Sequence, residues 1–348
     1  AAAASASFGL LSTLQDVGRW VTLLREEFLD RSAPPASGRA CPPTGAATGP
    51  APATEAEAEA PAQVALPGRS ASEVVEKVRA IREQEFGHLG QVAYLDHAGA
   101  ALYSREQARA ATGALLERFL ASPERSAASA EVVEGVRADV LRMFGASPET
   151  HELVFTSGAT RALQLVGELF PWSPGGLFLH ARESHTSALG LRQLARRGGA
   201  QCGWVGLDQL RELSEGLAAA TLLPEEGRPE AEAVGKLSDD SLPRGPNLLA
   251  FPGESNFDGA RAELACVAAL RSGPLRWRVL LDAAKLACLP GALDLSRCPA
   301  DFVAVSFYKI FGCPTGLGAL IARREAAALL GRPGAPATGR PVCGEGPG

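Results

Sequence analysis

Residues 301–322 read DFVAVSFYKIFGCPTGLGALIA, two apolar runs separated by a lysine and a glycine-rich turn. Short apolar runs bounded by turn residues predict buried strands, and the first of these is expected to end at Phe307. Lys309 follows two residues later. The glycines of the turn leave room for the backbone to approach a ligand closely. The stretch therefore predicts a lysine presented at the end of a buried strand.

The neighbours of Lys309 favour a chemical role for its amine. A lone lysine after an apolar strand is by default a surface residue. Here Ser306 and Tyr308 add hydroxyl groups suited to a phosphate, and Phe307 and Ile310 would shield the amine from water. Desolvation favours the neutral amine, the form that builds a Schiff base with a carbonyl. Only four of the 34 basic residues are lysines, so few amines are available for such chemistry.

Composition narrows the class of protein. The 348 residues carry a net charge of -5, with 46% hydrophobic and 21% charged side chains, which excludes wholesale disorder. The acidic balance argues against nucleic acid as the main partner. No apolar run reaches the roughly 18–20 residues that span a bilayer. The seven scattered cysteines suit reduced thiols in the cytoplasm.

The chain is expected to contain four segments. Residues 1–32 have the apolar spacing of an amphipathic helix, and the Ala/Pro-rich residues 33–68 predict a disordered linker. Residues 69–332 are expected to form the functional domain, and 333–348 a flexible tail. Within the domain, the acidic stretch Pro224–Pro246 is expected to be an exposed excursion.

Short apolar runs alternate with helix-period segments from about residue 90 onward. This alternation predicts βαβ units and a largely parallel sheet, in which ligands bind at the carboxyl ends of the strands. Helices are expected at Arg161–Phe170, Thr186–Arg197 and Glu263–Leu270. The predicted strands are VAYL (92–95), ELVF (152–155), LFLH (177–180), CGWV (202–205), NLLAF (247–251), RVLLD (278–282), DFVAVSF (301–307) and GALIA (318–322).

Polar residues follow four other predicted strands. A carboxylate at Asp282 needs a cationic partner, such as a protonated pyridine nitrogen, although aspartate is also a common helix N-cap. The turn with Ser157 and Thr160 opens a helix and offers an anion site. His185 could stack on a ring or shuttle protons. Asn256 either holds its turn together or donates its amide to a phenolate oxygen.

The motifs TSGAT, ESHTS, ESNFDG, LLDAA and SFYKIFGCPTGLGAL occur in an order that resembles the class V pyridoxal 5'-phosphate (PLP) enzymes. Within that class, YLDHAGAAL, FPW, SHTSALGLR and above all SFYKIFGCPTGLGAL are similar to the N-terminal domain of the molybdenum cofactor sulfurases. The resemblance covers about residues 85–330. It implies an α/β fold, the large domain of a fold type I PLP-dependent transferase, with a mostly parallel central sheet and flanking helices.

The resemblance also implies roles for the residues at the strand ends. Lys309 would hold PLP covalently, and Asp282 would pair with the pyridinium nitrogen. His185 would stack over the ring and take part in catalysis, while Asn256 would touch the ring oxygen. No metal ligand is implied. The phosphate would be bound by Ser157, Thr160 and Ser306.

The implied activity is sulfur transfer. The family moves sulfur from L-cysteine, as a persulfide, to the molybdenum cofactor (molybdopterin), which activates xanthine dehydrogenase and aldehyde oxidase. A cytoplasmic homodimer is expected. Two alternatives stay open. One is another class V enzyme, such as a cysteine desulfurase, a cysteine or selenocysteine lyase, or a kynureninase-like hydrolase. The other is a non-catalytic truncated isoform.

The chain departs from the family pattern in three places. Lys285 stands where desulfurases usually carry glutamine, which makes it the rival of Lys309 for the Schiff base. The stretch 122–126 reads SPERS in place of Asn-Pro-His-Ser. The family continues with a small subdomain, bearing the persulfide cysteine, and a further domain. We therefore expect an incomplete fragment, in which neither Cys313 nor Cys343 is the nucleophile.

Overall fold

The computed structural model describes residues 71–117, 119, 121–215, 219–222, 233–236, 245–313 and 315–331. The N-terminal helix expected within 1–32, the linker over 33–68 and the tail over 333–348 lie outside these residues. Most of Pro224–Pro246 and Cys343 also lie outside them.

The chain divides into two compact units. Among the described residues, one unit holds 71–96 with Ser104–Glu106, and the other holds His97–Tyr103 and the chain from Gln107 onward. In the first unit, helix α1 (Ala71–Phe86) leads into a short 3-10 turn.

The predicted strand at 92–95 is wrong, because these residues form no strand. The carbonyl oxygen of Val92 accepts a hydrogen bond from Arg82 Nη2 at 2.7 Å. A side chain thus takes the place that a neighbouring strand would have filled.

The second unit contains a sheet of nine described strands. They are β1 (His151–Thr156), β2 (Leu177–Ala181), β3 (Gln201–Val205), β4 (Ala219–Leu222), β5 (Ala233–Lys236), β6 (Leu248–Pro252), β7 (Arg278–Asp282), β8 (Phe302–Ser306) and β9 (Gly318–Arg323). Their order is β1-β9-β8-β7-β6-β2-β3-β4-β5. The five central strands β8, β7, β6, β2 and β3 run parallel, whereas β9 and β4 run antiparallel to both neighbours.

Seven of the eight predicted strands are confirmed to within one residue at each end. The parallel sheet is likewise confirmed for its five central members. The short hairpin of β4 and β5 was not expected, and β5 lies inside the stretch taken for an exposed excursion. Runs such as AATL and AVGK combine small side chains with little periodicity, so the pattern that predicts strands is weak there.

Nine further helices follow α1 among the described residues, and several of them pack on the two faces of the sheet. They are α2 (Arg105–Glu117), α3 (Ala127–Met143), α4 (Ala159–Leu169), α5 (Thr186–Leu189), α6 (Leu191–Arg197), α7 (Leu210–Ser214), α8 (Val267–Ser272), α9 (Phe307–Phe311) and α10 (Arg324–Ala327). The helix predicted over 186–197 divides at Gly190, and the one over 263–270 begins with a 3-10 turn. None of the helices in the described ranges combines the length and apolar character needed to span a membrane.

The core consists of two apolar layers, one on each face of the sheet. Alternate strand residues enter opposite layers because successive side chains of a strand point to opposite faces. In β2, for example, Leu177 and Leu179 join one cluster and Phe178 joins the other. Helices α4 and α6 cover the Phe178 side, while α3, α7 and α8 cover the opposite side.

Helix α4 shows how the sequence sets the geometry near the site. Its buried residues Ala159, Ala162, Leu163 and Val166 recur at helical spacing and form one apolar stripe against the sheet. Phe170, in an extended conformation before Pro171, ends the helix. The helix is thereby fixed with its N-terminus at the end of β1.

Strand order reverses between β2 and β6, since β3 lies on one side of β2 and β6 on the other. Ligands of open α/β sheets bind outside the carboxyl ends of the strands at such a reversal. The sheet topology therefore places a binding site at the loops that follow β2, β6, β7 and β8.

The opposite end of the sheet is held by a buried carboxylate. Asp301 is fully buried and accepts hydrogen bonds from Arg271 Nε (3.1 Å), Arg278 Nη1 (3.0 Å) and the backbone N–H of Val279 (2.9 Å). Breaking a buried ion pair by removing one partner is costly, because the remaining charges lose their compensation.

We expect Asp301→Asn to lower the free energy of unfolding by about 3 kcal/mol, measured by urea denaturation. Asp139→Asn, which removes an exposed ion pair with Arg142, should change it by less than about 1 kcal/mol. Equal effects of the two substitutions would contradict a structural role for Asp301.

Burial lowers the pKa of His180, whose Nε2 has no hydrogen-bond partner among the described residues. The folded state therefore binds fewer protons than the unfolded state once the pH falls below the ordinary histidine pKa of about 6.5. We expect stability to be retained above that pH and to fall below it, by at most about 1.4 kcal/mol per pH unit for this group. Denaturation curves between pH 5 and 8 should show a shallower fall in His180→Gln. The same substitution at exposed His88 is the control for the loss of a histidine.

Candidate functional site

A cavity of about 150 Å³ opens at the carboxyl ends of the central strands. All seven residues singled out from the sequence line it, and they lie at or just after the carboxyl ends of β1, β2, β6, β7 and β8. The lining residues are Ser157, Gly158, Ala159, Thr160, His185, Ser187, Asn256, Asp282, Ala284, Ser306, Tyr308 and Lys309.

One wall of the cavity is the N-terminus of α4. The backbone N–H groups of its first turn lack intrahelical acceptors, and the helix dipole favours an anion there. Ser157 and Thr160 carry hydroxyl groups at this turn. Ser306 Oγ is buried and has no hydrogen-bond partner in the described part of the chain. An unsatisfied buried hydroxyl beside a helix N-terminus fits a phosphate ligand.

Two glycines allow the N-terminus of α4 to lie close to the sheet. Gly158, the N-cap of α4, has φ of 123°, a conformation that other residues rarely adopt. Gly318 pairs in register with both Thr156 and Ser306. A Cβ on Gly318 would lie 2.5 Å from the Val305 carbonyl oxygen and 2.7 Å from Gly158 Cα. The absence of a side chain at residue 318 therefore brings the α4 turn next to Ser306.

We expect Gly318→Ala to cost about 2 kcal/mol of stability through overpacking and to weaken phosphate binding at the α4 turn. Thermal unfolding with and without inorganic phosphate would measure both effects. Gly135→Ala is the control, because a Cβ there meets nothing within 4 Å. It should stabilise α3 by about 0.5–1 kcal/mol. A neutral Gly318→Ala would show that the close approach is not required.

Asp282 is the last residue of β7, at the same cavity. Its Oδ1 accepts a hydrogen bond from the Ala284 N–H at 3.1 Å, so it stabilises its own turn and caps no helix. Burial raises the pKa of Asp282, while that hydrogen bond and the charges of Lys309 and His185 counteract the shift. A carboxylate in this position is stabilised by a cationic ligand group.

His185 is the N-cap of α5, and its ring orientation is fixed by that role. Nδ1 accepts a hydrogen bond from the backbone N–H of Ser187 at 3.2 Å and lies 2.7 Å from Ser187 Oγ. Because Nδ1 accepts, the proton of the neutral ring is on Nε2.

Asn256 lies in a turn of the loop that follows β6. The turn is held by its neighbours, since Ser255 Oγ accepts from Phe257 N at 3.2 Å and Asp258 Oδ1 accepts from Ala260 N at 3.0 Å. The exposed amide of Asn256 is thus left for a ligand.

Lys309 lies on the short helix α9, which begins at Phe307, the residue predicted to end the strand. Phe307 and Ile310 pack in or against the apolar core. Behind the lysine, Gly312 turns the chain with φ of 79°. A Cβ at Gly312 would lie within 2.6 Å of the backbone of Leu102 and Tyr103.

Lys285 differs from Lys309 in its partners. Its Nζ lies 3.2 Å from Glu254 Oε1 and donates to the Ser255 carbonyl oxygen at 2.9 Å. Lys309 lines the cavity and forms no ion pair within 4.0 Å among the described residues. The geometry favours Lys309 over Lys285 as the reactive amine.

The structure adds residues that the sequence patterns did not single out. Ser187 and Glu254 support His185 and Lys285 through contacts that depend on the folding of separate loops. In the divergent stretch SPERS, Ser126 is the N-cap of α3 and accepts from Ser129 N. A helix-capping serine followed by an apolar-spaced segment is a pattern that could have been found.

The arrangement combines a phosphate-binding turn, a carboxylate, a histidine and an amine. This donor set fits a ligand with a phosphate, a protonated ring nitrogen and an aldehyde, which are the groups of PLP. Sheet order and site together define the large domain of a fold type I PLP-dependent transferase.

Comparison with known proteins agrees with this class. Residues 93–227 match the model of the aminotransferase class-V family. The chain is 39% identical to molybdenum cofactor sulfurase of Oryza sativa subsp. japonica over 272 residues, which is 72% of this chain and 33% of that protein. The chain thus spans about a third of the length of the curated relatives that it matches.

Two solved structures share the fold. The apo cysteine desulfurase from Thermococcus onnurineus NA1 is 21% identical, with a TM-score of 0.54, over 71% of this chain and 57% of that one. A C-DES mutant with glycine covalently linked to its PLP cofactor is 22% identical, with a TM-score of 0.51, over 71% of this chain and 60% of that one.

Proposed function

We propose that this domain binds PLP and belongs to a protein that takes sulfur from L-cysteine and delivers it to the molybdenum cofactor. The observation that carries the proposal is that all seven site residues predicted from the sequence line one cavity. Support for the sulfur acceptor comes from the 39% identity to a molybdenum cofactor sulfurase.

Different residues of the cavity would bind different parts of the cofactor. The α4 turn, with Ser157, Thr160 and Ser306, would bind the phosphate. Asp282 would accept a hydrogen bond from the ring nitrogen and keep it protonated, and the Asn256 amide would donate to the ring oxygen.

Lys309 and His185 are the residues that would take part in the chemical steps. The Lys309 amine would attach to the cofactor aldehyde and, once displaced by a substrate amine, would hold or move a proton near the substrate Cα. His185 would place its ring, with a proton on Nε2, over the cofactor. PLP, when bound, supplies the electron sink that weakens bonds at the substrate α-carbon.

The thiol that carries sulfur is expected elsewhere in the longer protein. Burial raises the pKa of Cys202 and raises the pKa values of Cys266, Cys288 and Cys298 to about 11. A raised pKa suppresses the thiolate, the nucleophilic form. Cys313 is half-buried, and its carbonyl oxygen accepts from Gln107 Nε2.

Assembly and location complete the proposal. We propose a homodimer, by the resemblance to class V enzymes, and size-exclusion chromatography with light scattering would test it. The described cysteines are free thiols, as in a reducing compartment, so we propose the cytoplasm as the location.

We expect the purified domain to take up PLP and to show the visible absorbance of lysine-bound cofactor. Lys309→Ala should abolish that absorbance, and borohydride reduction followed by peptide mapping should label Lys309 in the unmodified chain. Lys77→Ala, which removes an exposed amine on α1, is the matched control and should behave like the parent. A label on Lys285, or absorbance retained by Lys309→Ala, would contradict the assignment.

The substrate is tested on the longer protein that contains this domain. L-Cysteine should yield alanine and a protein-bound persulfide, and molybdenum cofactor should accept the sulfur, as read from activated xanthine dehydrogenase. Lys309→Ala should lower the rate by at least about a hundredfold. Release of sulfide alone would indicate a desulfurase or lyase, and turnover of selenocysteine or kynurenine instead of cysteine would indicate those class V alternatives. The non-catalytic truncated isoform is tested on the chain itself, since it would turn over none of these substrates and would copurify with the longer protein.

A further inference from the structure

Lys285 and Glu254 form a poorly exposed ion pair beside the cavity. Their side chains are 17% and 10% exposed, whereas Arg142 and Asp139 on α3 are 75% and 71% exposed. An ion pair is screened less by water and salt when its charges are partly buried. The Lys285–Glu254 contact therefore restrains the segments that carry it.

Glu254 links Lys285 to a closed loop. Its second oxygen, Oε2, accepts from Arg261 Nε at 2.9 Å, and the backbones of Glu254 and Arg261 form an antiparallel bridge. Ala262 N donates to the Gly253 carbonyl oxygen at 3.1 Å. The loop from 253 to 262 is thus tied at its base, and Asn256 projects from it.

Lys285 also forms a hydrogen bond with the backbone of this loop. Its ammonium donates to the carbonyl oxygen of Ser255, the residue directly before Asn256. Three residues before Lys285 is Asp282, whose carbonyl oxygen accepts from Gly253 N at 2.9 Å. The Asn256 loop and the Asp282 turn are therefore joined both by backbone and by the lysine.

The space between these groups is too small for a substrate. The adjoining cavity has a volume of about 10 Å³, enough for one water molecule at most. It is lined by Glu183, His185, Pro252, Glu254, Asn256, Asp282, Ala284 and Lys285.

We propose that Lys285 is a positioning residue that holds the Asn256 loop against the Asp282 turn. It would fix the distance between the amide that meets the cofactor ring oxygen and the carboxylate that meets the ring nitrogen. The proposal rests on the proposed function, because the ring is that of PLP. Lys285 would act through the Asn256 loop and the Asp282 turn.

The first test needs no cofactor. Hydrogen–deuterium exchange of residues 253–262 is compared in the parent, Lys285→Met, Lys285→Arg and Glu254→Gln. We expect exchange in this loop to be about tenfold faster in Lys285→Met and Glu254→Gln, since each loses a charge-assisted hydrogen bond. Lys285→Arg should restore part of the protection. Lys77→Met, the same change at an exposed lysine, should leave it unchanged.

The second test measures equilibrium binding of PLP and the absorbance maximum of the bound form. Lys285→Met should bind about tenfold more weakly and shift the maximum, while borohydride still labels Lys309. Lys285→Arg should recover part of the affinity. If Lys285→Met does not fold by circular dichroism, Glu254→Gln replaces it, because that change keeps the size of the side chain.

The outcomes separate the two proposals. Unchanged loop exchange in Lys285→Met and Glu254→Gln overturns the positioning role. Faster exchange with unaltered PLP affinity and spectrum also overturns it, because the ion pair then stabilises only the loop. Failure of the parent chain to bind PLP at Lys309, with faster exchange still seen in Lys285→Met, refutes the proposed function and leaves the restraint on the loop established.

Discussion

The close approach at Gly318 is the constraint on which the site depends. Strand β9 runs between β1 and β8, so it sets how far the loop after β1 lies from the loop after β8. With no side chain at residue 318, β9 can approach both Gly158 Cα and the Val305 carbonyl oxygen, which a Cβ would meet at 2.7 Å and 2.5 Å. The α4 turn and the lysine helix therefore belong to one cavity. A bulkier residue would separate the anion-binding wall from the amine.

Much of this architecture could be predicted from the sequence. Continuous apolar runs such as FVAVS and LLAF are typical of strands buried on both faces, and their order along the chain implies parallel pairing through helices. Each site residue could be found because it lies at the end of such a run or within the few residues after it. Polar groups that follow neighbouring parallel strands meet at one edge of the sheet. The sequence therefore predicts that Asp282, Asn256 and Lys309 lie close together.

The features that could not be predicted have a common physical cause. Residues 92–95 look like a strand, but the backbone there bonds to an arginine side chain, and no local pattern encodes that partner. The β4–β5 hairpin lies at one edge of the sheet. The sequences of its two short strands show little of the apolar periodicity that predicts strands. The Glu254–Lys285 pair joins residues 31 positions apart through two loops. In each case the deciding contact is made by the tertiary structure.

Two carboxylates at opposite ends of the central strands show how the fold separates stability from binding. Asp301, at the start of β8, is fully buried and receives three hydrogen bonds from two arginines and a backbone N–H. Asp282, at the end of β7, receives one, and burial raises its pKa. A carboxylate with one hydrogen bond is less fully satisfied than one with three, so Asp282 keeps the capacity to accept a hydrogen bond from a ligand. The same type of side chain thus anchors the sheet at one end and, in the proposed function, would meet the cofactor ring at the other.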